Sequence, residues 1–128
     1  MAAVTAGRNT VEVRDGKTLV LPVKAKTTIY EGSLVAIGSD GYAIPAKKAE
    51  NLLVAGRAQE FVSAGEADTT ITVRRGCFKW DNSGVTNKDI LKKAYIGDAT
   101  TVTTTPTGSS VAGTIIAVDD DGVVVETL

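Results

Sequence analysis

A β-hairpin is encoded near the end of the chain by the stretch Ala112-Gly-Thr-Ile-Ile-Ala-Val-Asp-Asp-Asp-Gly-Val-Val-Val-Glu-Thr127. A β-branched apolar arm enters a polar corner, and a second apolar arm leaves it. We expect Gly122 to take the positive φ that a tight turn demands. Because the arms are apolar on both faces, we expect this hairpin to be covered on both sides, at the middle of the fold and bordering an oligomer interface.

Two further hairpins are predicted earlier in the chain. The first follows the same pattern, in the stretch Leu34-Val-Ala-Ile-Gly-Ser-Asp-Gly-Tyr-Ala-Ile44. The second spans residues 10–23 and turns through a three-residue loop with Gly16 in the left-handed region, which places Val11 and Val13 on its apolar face. Pro22 cannot donate to a ladder, so this second hairpin should lie at a sheet edge.

The central part of the chain contributes one long strand and one short helix. Apolar and polar residues alternate over residues 69–80, but the apolar residues move from odd positions (Ile71, Val73) to even ones (Phe78, Trp80). This change predicts a β-bulge at Arg75-Gly76. Thr86 and Asp89 have the spacing of a capping box, which predicts a short helix over residues 86–93. The sequence as a whole predicts an all-β fold, a small barrel or sandwich of antiparallel hairpins. We expect residues 1–9 to form an extended, flexible arm and residues 10–128 a single domain.

Composition restricts the classes of function. The 128 residues suffice for one domain, and a net charge of −1 gives no reason to expect nucleic acid as a partner. The basic pairs Arg74-Arg75 and Lys92-Lys93 are interpreted as solvated surface. No apolar run approaches the length of a membrane helix, and the first residues lack the pattern of a signal peptide.

The absence of histidine removes the most frequent general base and a frequent metal ligand. The single cysteine, Cys77, allows no intramolecular disulfide and favours a cytosolic folding environment. No motif for a nucleotide, a metal or a catalytic pair is present. We therefore predict no catalytic residues, no cofactor and no enzymatic activity.

Three features were weighed as sites. The run Asp119-Asp120-Asp121 could attract calcium, but its spacing fails the EF-hand pattern and favours a polar hairpin tip. Cys77, flanked by strand residues, is expected to be a small buried hydrophobe rather than a nucleophile. Phe78 and Trp80 are expected to fill the core, with stacking on a sugar or base as the alternative.

The order of several blocks along the chain resembles a known family. The blocks are Asn9-Thr-Val-Glu-Val13, Leu21-Pro-Val-Lys-Ala25, Ile29-Tyr-Glu-Gly-Ser-Leu-Val-Ala-Ile-Gly-Ser-Asp-Gly-Tyr-Ala-Ile-Pro45, Val73-Arg-Arg-Gly-Cys-Phe-Lys-Trp80, Ala94-Tyr-Ile-Gly-Asp98 and Ser110-Val-Ala-Gly-Thr-Ile-Ile-Ala-Val-Asp-Asp-Asp-Gly-Val-Val-Val-Glu126. Together they resemble the small capsid cement, or head decoration, proteins of tailed bacteriophages and prophages. The resemblance covers nearly the whole chain and rests on block order, since no single motif is diagnostic.

The resemblance implies a non-enzymatic virion protein that binds the major capsid protein of a tailed phage on the capsid exterior. Such a protein is made in the bacterial host cytoplasm and stiffens the shell against packaged DNA. It is expected to form homo-oligomers, with a trimer favoured, and to bind neither nucleic acid nor membrane. The alternatives are a carbohydrate- or small-ligand-binding β-barrel, with Trp80, Tyr42 or Tyr30 lining a groove, and a tail-tube or baseplate subunit.

The N-terminal arm offers a binding mechanism, because an extended segment can add as a strand to an exposed sheet edge. We expect the arm to become ordered on the capsid or on a neighbouring subunit. The predicted interface residues are Ala2, Ala3, Val4, Thr5, Arg8, Asn9 and Thr10.

Overall fold

The computed structural model describes residues 5–128. Strands account for 47% of the described residues and helix for 2%, which confirms the predicted all-β class. The strands described in this range are β1 (Thr18–Pro22), β2 (Thr28–Ile29), β3 (Leu34–Ile37), β4 (Ala43–Pro45), β5 (Leu53–Ala58), β6 (Val62–Ser63), β7 (Thr70–Arg74), β8 (Gly76–Ser83), β9 (Lys93–Ile96), β10 (Thr101–Thr103), β11 (Val111–Asp119) and β12 (Gly122–Thr127).

These strands build an open sheet and a closed barrel. The sheet has the order β1-β7-β5-β3-β4, and all its neighbouring strands are antiparallel. The barrel has the order β10-β8-β12-β11-β9, and β10 closes it by pairing with β9 antiparallel and with β8 parallel. Strands β2 and β6 form a separate antiparallel pair.

The barrel interior is filled by side chains from all five of its strands. Trp80 of β8 is 5% exposed and belongs to this cluster, so its predicted core position is confirmed. Fully buried aliphatic residues complete the interior: Ile96, Val102, Ile115, Val123 and Val125. Burial of this apolar area supplies the main driving force for closing the barrel.

Strand β3 lies at the middle of the fold. Leu34 and Ala36 pack into the barrel cluster, whereas Val35 packs into a second cluster on the other face of the sheet. All three residues are fully buried, so β3 is covered on both sides. The expectation that the closing hairpin occupies this position is wrong, because its bulged residue Ile116 is 38% exposed.

The long strand predicted over residues 69–80 is two strands in different β-structures. Strand β7 ends at Arg74 in the sheet, and β8 begins at Gly76 in the barrel. Between them, the N–H of Arg75 donates to the carbonyl of Lys17 at 2.7 Å. The alternation changes phase because the chain crosses here from one core to the other, rather than because of a bulge within one ladder.

The hairpin predicted over residues 10–23 is not formed. Residues 5–17 lie outside any strand, and β1 pairs with β7 instead. Val11 and Val13 are consequently exposed. The left-handed Gly16 (φ 78°) and the edge position of the strand carrying Pro22 are confirmed.

The capping box is confirmed, but the helix it starts is shorter than predicted. The N–H of Thr86 donates to Asp89 at 2.9 Å, and a 3₁₀ turn covers Asn87–Asp89. The helix does not continue to Lys93, because the next residues pair with β11. The N–H of Leu91 donates to the carbonyl of Ile115, and the N–H of Ile115 donates to the carbonyl of Lys92.

The closing hairpin forms as predicted, but its turn differs. Asp120 and Asp121 make the two-residue turn, and Gly122 already belongs to β12, opposite Asp119. Positive φ is found at other glycines and not at Gly122, so that prediction is wrong. A Cβ at Gly122 would lie 2.7 Å from the carbonyl oxygen of Trp80, so glycine is required here by the close approach of β12 to β8.

Candidate functional site

The predicted interface residues belong to the N-terminal segment. Ala2, Ala3 and Val4 lie outside the described residues. Thr5, Arg8, Asn9 and Thr10 are described, and every residue from 5 to 17 is exposed. The one backbone hydrogen bond described within residues 5–14 is local, from the N–H of Thr10 to the carbonyl of Arg8 at 3.1 Å. This segment therefore presents its backbone and side chains to solvent.

Two exposed valines give the N-terminal segment an apolar stripe. Val11 is 64% exposed and Val13 is 83% exposed, and their spacing places them on one face of an extended chain. The segment ends at Asp15, whose side chain accepts the N–H of Lys17 at 2.8 Å. This hydrogen bond holds the pKa of Asp15 below its ordinary value. The segment then leads directly into β1, the outer strand of the sheet.

A second surface feature is a basic cleft where the sheet meets the barrel. The cleft has a volume of about 350 Å³. It is lined by Lys17, Arg74, Arg75, Gly76, Cys77, Phe78, Glu126 and Leu128. The guanidinium of Arg57 borders it, lying over the Phe78 ring at 5.9 Å from the centroid. We call this feature the basic cleft.

The sheet register concentrates positive charge at this cleft. Arg57 of β5 and Arg74 of β7 are direct partners across the ladder. Like charges placed opposite each other are destabilising, by an amount comparable to the roughly 0.2–1 kcal/mol that a favourable cross-strand pair contributes. Among residues 5–128, no ion pair is described for Lys17, Arg57, Arg74 or Arg75. The fold thus tolerates a cluster of four cations that is not held by a described ion pair.

Two of the three aspartates of the closing hairpin, Asp119 and Asp121, are held by a lysine. The ammonium of Lys79 lies 3.0 Å from Asp119 and 3.0 Å from Asp121. Its hydrogen bonds to Asp121 and then Asp119 raise the pKa of Lys79, and the same contact with Lys79 lowers the pKa of Asp121. In the described part of the chain, no group of three or more Cys, Asp or Glu residues is arranged to hold a metal ion. We call residues 119–121 the acidic tip.

Cys77 is exposed, so its predicted burial is wrong. It lies in the second position of β8, opposite Glu126 of β12, and its sulfur is 3.9 Å from the Glu126 carboxylate. The strand assignment was right, but this side chain points out of the barrel into the basic cleft. The alternation puts Trp80 inside and therefore puts odd-numbered residues of β8 outside.

The aromatic residues considered for a sugar-binding groove occupy separate environments. Trp80 is buried inside the barrel. Tyr30 is exposed and packs against Phe61 with ring centroids 5.4 Å apart. Tyr42 is 44% exposed beside the tip of the β3–β4 hairpin. A buried tryptophan cannot line a surface groove, so this arrangement gives the carbohydrate alternative no support.

The basic cleft was not predicted from the sequence. From the sequence, the pair Arg74-Arg75 is predicted to be solvated surface. Its partners Lys17 and Arg57 come from distant segments, and only the register of β5 against β7 brings Arg57 beside Arg74. A lone arginine within an apolar strand was the available signal, but it does not specify its cross-strand neighbour.

The fold and its surface define an all-β protein with a five-stranded closed barrel and candidate binding surfaces rather than a recognised motif. No family model, curated protein or solved structure matches the chain. Among residues 5–128, no helix has the length and apolar character needed to cross a membrane.

Proposed function

We propose that this protein is a non-enzymatic head decoration protein of a tailed phage. It binds the major capsid protein on the outside of the shell and stabilises the shell against the pressure of the packaged DNA. The proposal starts from the resemblance in block order across nearly the whole chain. Virion localisation and a homo-oligomeric, preferably trimeric, state follow from the same resemblance.

The observation that carries the proposal is the exposed, strandless segment over residues 5–17. Over residues 5–14 the one backbone hydrogen bond described is the local bond from Thr10 to Arg8, and Val11 and Val13 form an alternating apolar stripe. A partner with a free sheet edge can satisfy the backbone groups of this segment and bury the valines on one face. Strand addition therefore suits the chemistry of this segment.

Symmetric placement compensates for a small interface. A short added strand forms few contacts, and one such contact binds weakly on its own. Several arms presented by one oligomer engage several capsid subunits together, and the second and third contacts are then effectively intramolecular. An oligomer with three arms can bind firmly through individually weak contacts.

Co-sedimentation with empty capsids of the parent phage tests this proposal. We expect the full chain to sediment with the capsids, and a variant lacking residues 2–10 to lose most binding while keeping its thermal unfolding transition. The Val11→Ser/Val13→Ser variant should also bind weakly, whereas Glu12→Ser/Arg14→Ser, which alters the opposite face, should bind nearly as the parent protein.

The outcomes separate the function from the mechanism. Failure of the full chain to sediment with capsids would refute the decoration function itself. Full binding both by the variant lacking residues 2–10 and by Val11→Ser/Val13→Ser would instead refute the role of the segment and direct attention to the folded domain. Full binding by the deletion alone would confine the contact to the segment that carries Val11 and Val13.

A further inference from the structure

The basic cleft has more positive charge than its own chain neutralises. Lys17, Arg74 and Arg75 line it, and Arg57 borders it through its contact with Phe78. The carboxylates described nearby are Glu126, which lines the cleft, and Asp15, which is hydrogen-bonded to Lys17. Neither is within ion-pair distance of the four cations among the described residues. A concave site in which cations outnumber carboxylates attracts an anionic ligand.

The acidic tip has the complementary composition. Asp119, Asp120 and Asp121 are all exposed, and Lys79 is the cation described beside them. Asp120 is in no described ion pair and stands at the outermost position of the hairpin turn. The tip is a tight two-residue turn that presents all three carboxylates to solvent.

The two surfaces of one molecule are too far apart to meet. The cleft lies at the end of the β8–β12 ladder where Gly76 pairs with Thr127. The tip lies beyond the opposite end, where Trp80 pairs with Val123. Four residue steps of antiparallel strand separate these pairs by about 13 Å. The β8–β12 ladder is continuous between these pairs, so contact between the tip and the cleft requires a second molecule.

We propose that the acidic tip of one copy binds in the basic cleft of a second copy. Arginine guanidinium groups bind carboxylates in a planar, two-bond geometry. Arg74 is exposed, so its guanidinium is accessible to a carboxylate of another molecule. The contact is head to tail, because each copy uses its tip on one neighbour and its cleft on another. Such contacts generate a ring when the rotation closes and a filament when it does not. The inference needs no capsid and stands independently of the proposed function.

A disulfide-trapping experiment tests the contact directly. Cys77 is the single cysteine of the chain, and it is exposed in the cleft. The Asp120→Cys variant places a second thiol at the acidic tip, so mild oxidation should give covalent dimers and larger species. The matched control is Asp40→Cys, which puts a thiol at the tip of the β3–β4 hairpin. We expect linkage at least tenfold faster for Asp120→Cys, and loss of that advantage in Asp120→Cys/Cys77→Ser.

Charge reversal tests the chemistry of the contact. Lys17→Glu/Arg74→Glu reverses two exposed cations, and Asp120→Lys/Asp121→Lys reverses the tip. At low ionic strength, sedimentation velocity should show self-association of the parent protein and at least tenfold weaker self-association of each variant. Mixing the two variants should restore association, because each carries a tip that matches the other's cleft. Added salt should weaken all of these complexes.

The proposal is overturned by any of three results. The parent protein could remain monomeric at low salt and millimolar concentration. Asp120→Cys could form disulfides no faster than Asp40→Cys. Lys17→Glu/Arg74→Glu could self-associate as strongly as the parent protein, which would show that the cleft does not hold the tip. Unchanged thermal unfolding of each variant shows that the fold is intact.

Discussion

The two hairpins with similar sequences occupy different places in the molecule. The β3–β4 hairpin lies between two cores, with Leu34 and Val35 buried on opposite faces of the sheet. The β11–β12 hairpin forms part of the barrel wall, with Ile115 inside and Ile116 partly exposed. An apolar run on both faces therefore does not identify the central strand. The difference arises from what packs on the second face, which depends on the whole fold.

Strand β11 also carries a bulge beside these two isoleucines. Ile115 pairs with Val125 and Ala117 pairs with Val124, so Ile116 has no partner across the ladder. A bulge turns the residues near it and increases the local twist, which helps a short strand curve around a small barrel. The inside and outside positions of Ile115 and Ile116 themselves follow from the ordinary alternation of a strand, in which neighbouring side chains face opposite sides. Strand β3 also pairs with a bulged neighbour, but its own alternation stays regular.

The largest expected effect is the loss of stability when neighbouring residues of β3 and of β11 are replaced by alanine. Leu34→Ala and Ile115→Ala should each lower the free energy of unfolding by about 2–5 kcal/mol, because each removes fully buried volume. Val35→Ala should also be costly, at about 2 kcal/mol, because the second face of β3 is buried. Ile116→Ala should cost about 1 kcal/mol or less. Urea unfolding measures all four changes.

The informative quantity is the difference in destabilisation between the two adjacent residues of each strand, Leu34 and Val35 in β3 and Ile115 and Ile116 in β11. Both positions of the β3 pair should be costly, whereas the β11 pair should have one costly and one tolerant position. If Ile116→Ala destabilises as much as Val35→Ala, the outer face of the barrel is covered in solution. That result would favour a subunit interface on the closing hairpin, as predicted from its sequence.

The next largest effect is the loss of stability when the glycine of each Asp-Gly corner is replaced by alanine, and it should differ between the two corners. Gly41 has φ 86° and open space around its Cβ position, so Gly41→Ala should cost about 1 kcal/mol through the left-handed backbone. Gly122→Ala meets the carbonyl of Trp80 and the side chain of Lys79, so it should cost about 2–3 kcal/mol through a forced shift of strands. Thermal and urea unfolding give both values.

Asparagine distinguishes the two causes. It tolerates the left-handed conformation, so Gly41→Asn should recover most of the loss in Gly41→Ala. Gly122→Asn should be at least as harmful as Gly122→Ala, because a larger side chain enters the same contact. Equal responses at the two glycines would mean that both serve the turn, as the shared Asp-Gly pattern suggests.

Local patterns predicted local structure well. The β3–β4 and β11–β12 hairpins, the capping box at Thr86 and the edge strand carrying Pro22 all follow from short-range chemistry. The hairpins depend on their turn residues, the capping box on a hydrogen bond between residues three positions apart, and the edge strand on the N–H that proline lacks. Each is decided within about ten residues of chain.

Long-range pairing was not predicted, and the errors share that cause. β1 follows a turn that could support a hairpin with residues 10–15, but it pairs instead with β7, about fifty residues away. The same pairing puts Lys17 beside Arg75, and the β5–β7 register puts Arg57 beside Arg74. The basic cleft therefore appears only once the topology is known. The prediction that Cys77 lies in a strand is correct. Which face of that strand is buried could not be predicted, because the chain passes from the sheet to the barrel at Arg75.

The smallest expected effect concerns the charged groups at the two tips. Lys79 holds Asp121 at 3.0 Å, whereas Lys24 lies 3.8 Å from Asp40 at the other hairpin. Lys79→Met should raise the pKa of Asp121 towards its ordinary value of 3.8, because the hydrogen bond from the ammonium is what lowers it. Lys24→Met should leave the pKa of Asp121 unchanged. Carboxyl-carbon NMR titration measures both.

The pH dependence follows from the direction of each shift. Because the pKa of Asp121 is lowered by folding, its contribution to stability is present above pH 3.8 and is lost as the pH falls through the folded value. The pKa of Lys79 is raised, so its contribution is present below 10.5 and is lost as the pH rises through the folded value. Both groups are exposed, so salt should reduce the shifts. If neither Lys79→Met nor added salt changes the pKa of Asp121, the lysine does not hold the acidic tip. All three aspartates would then be available to a partner.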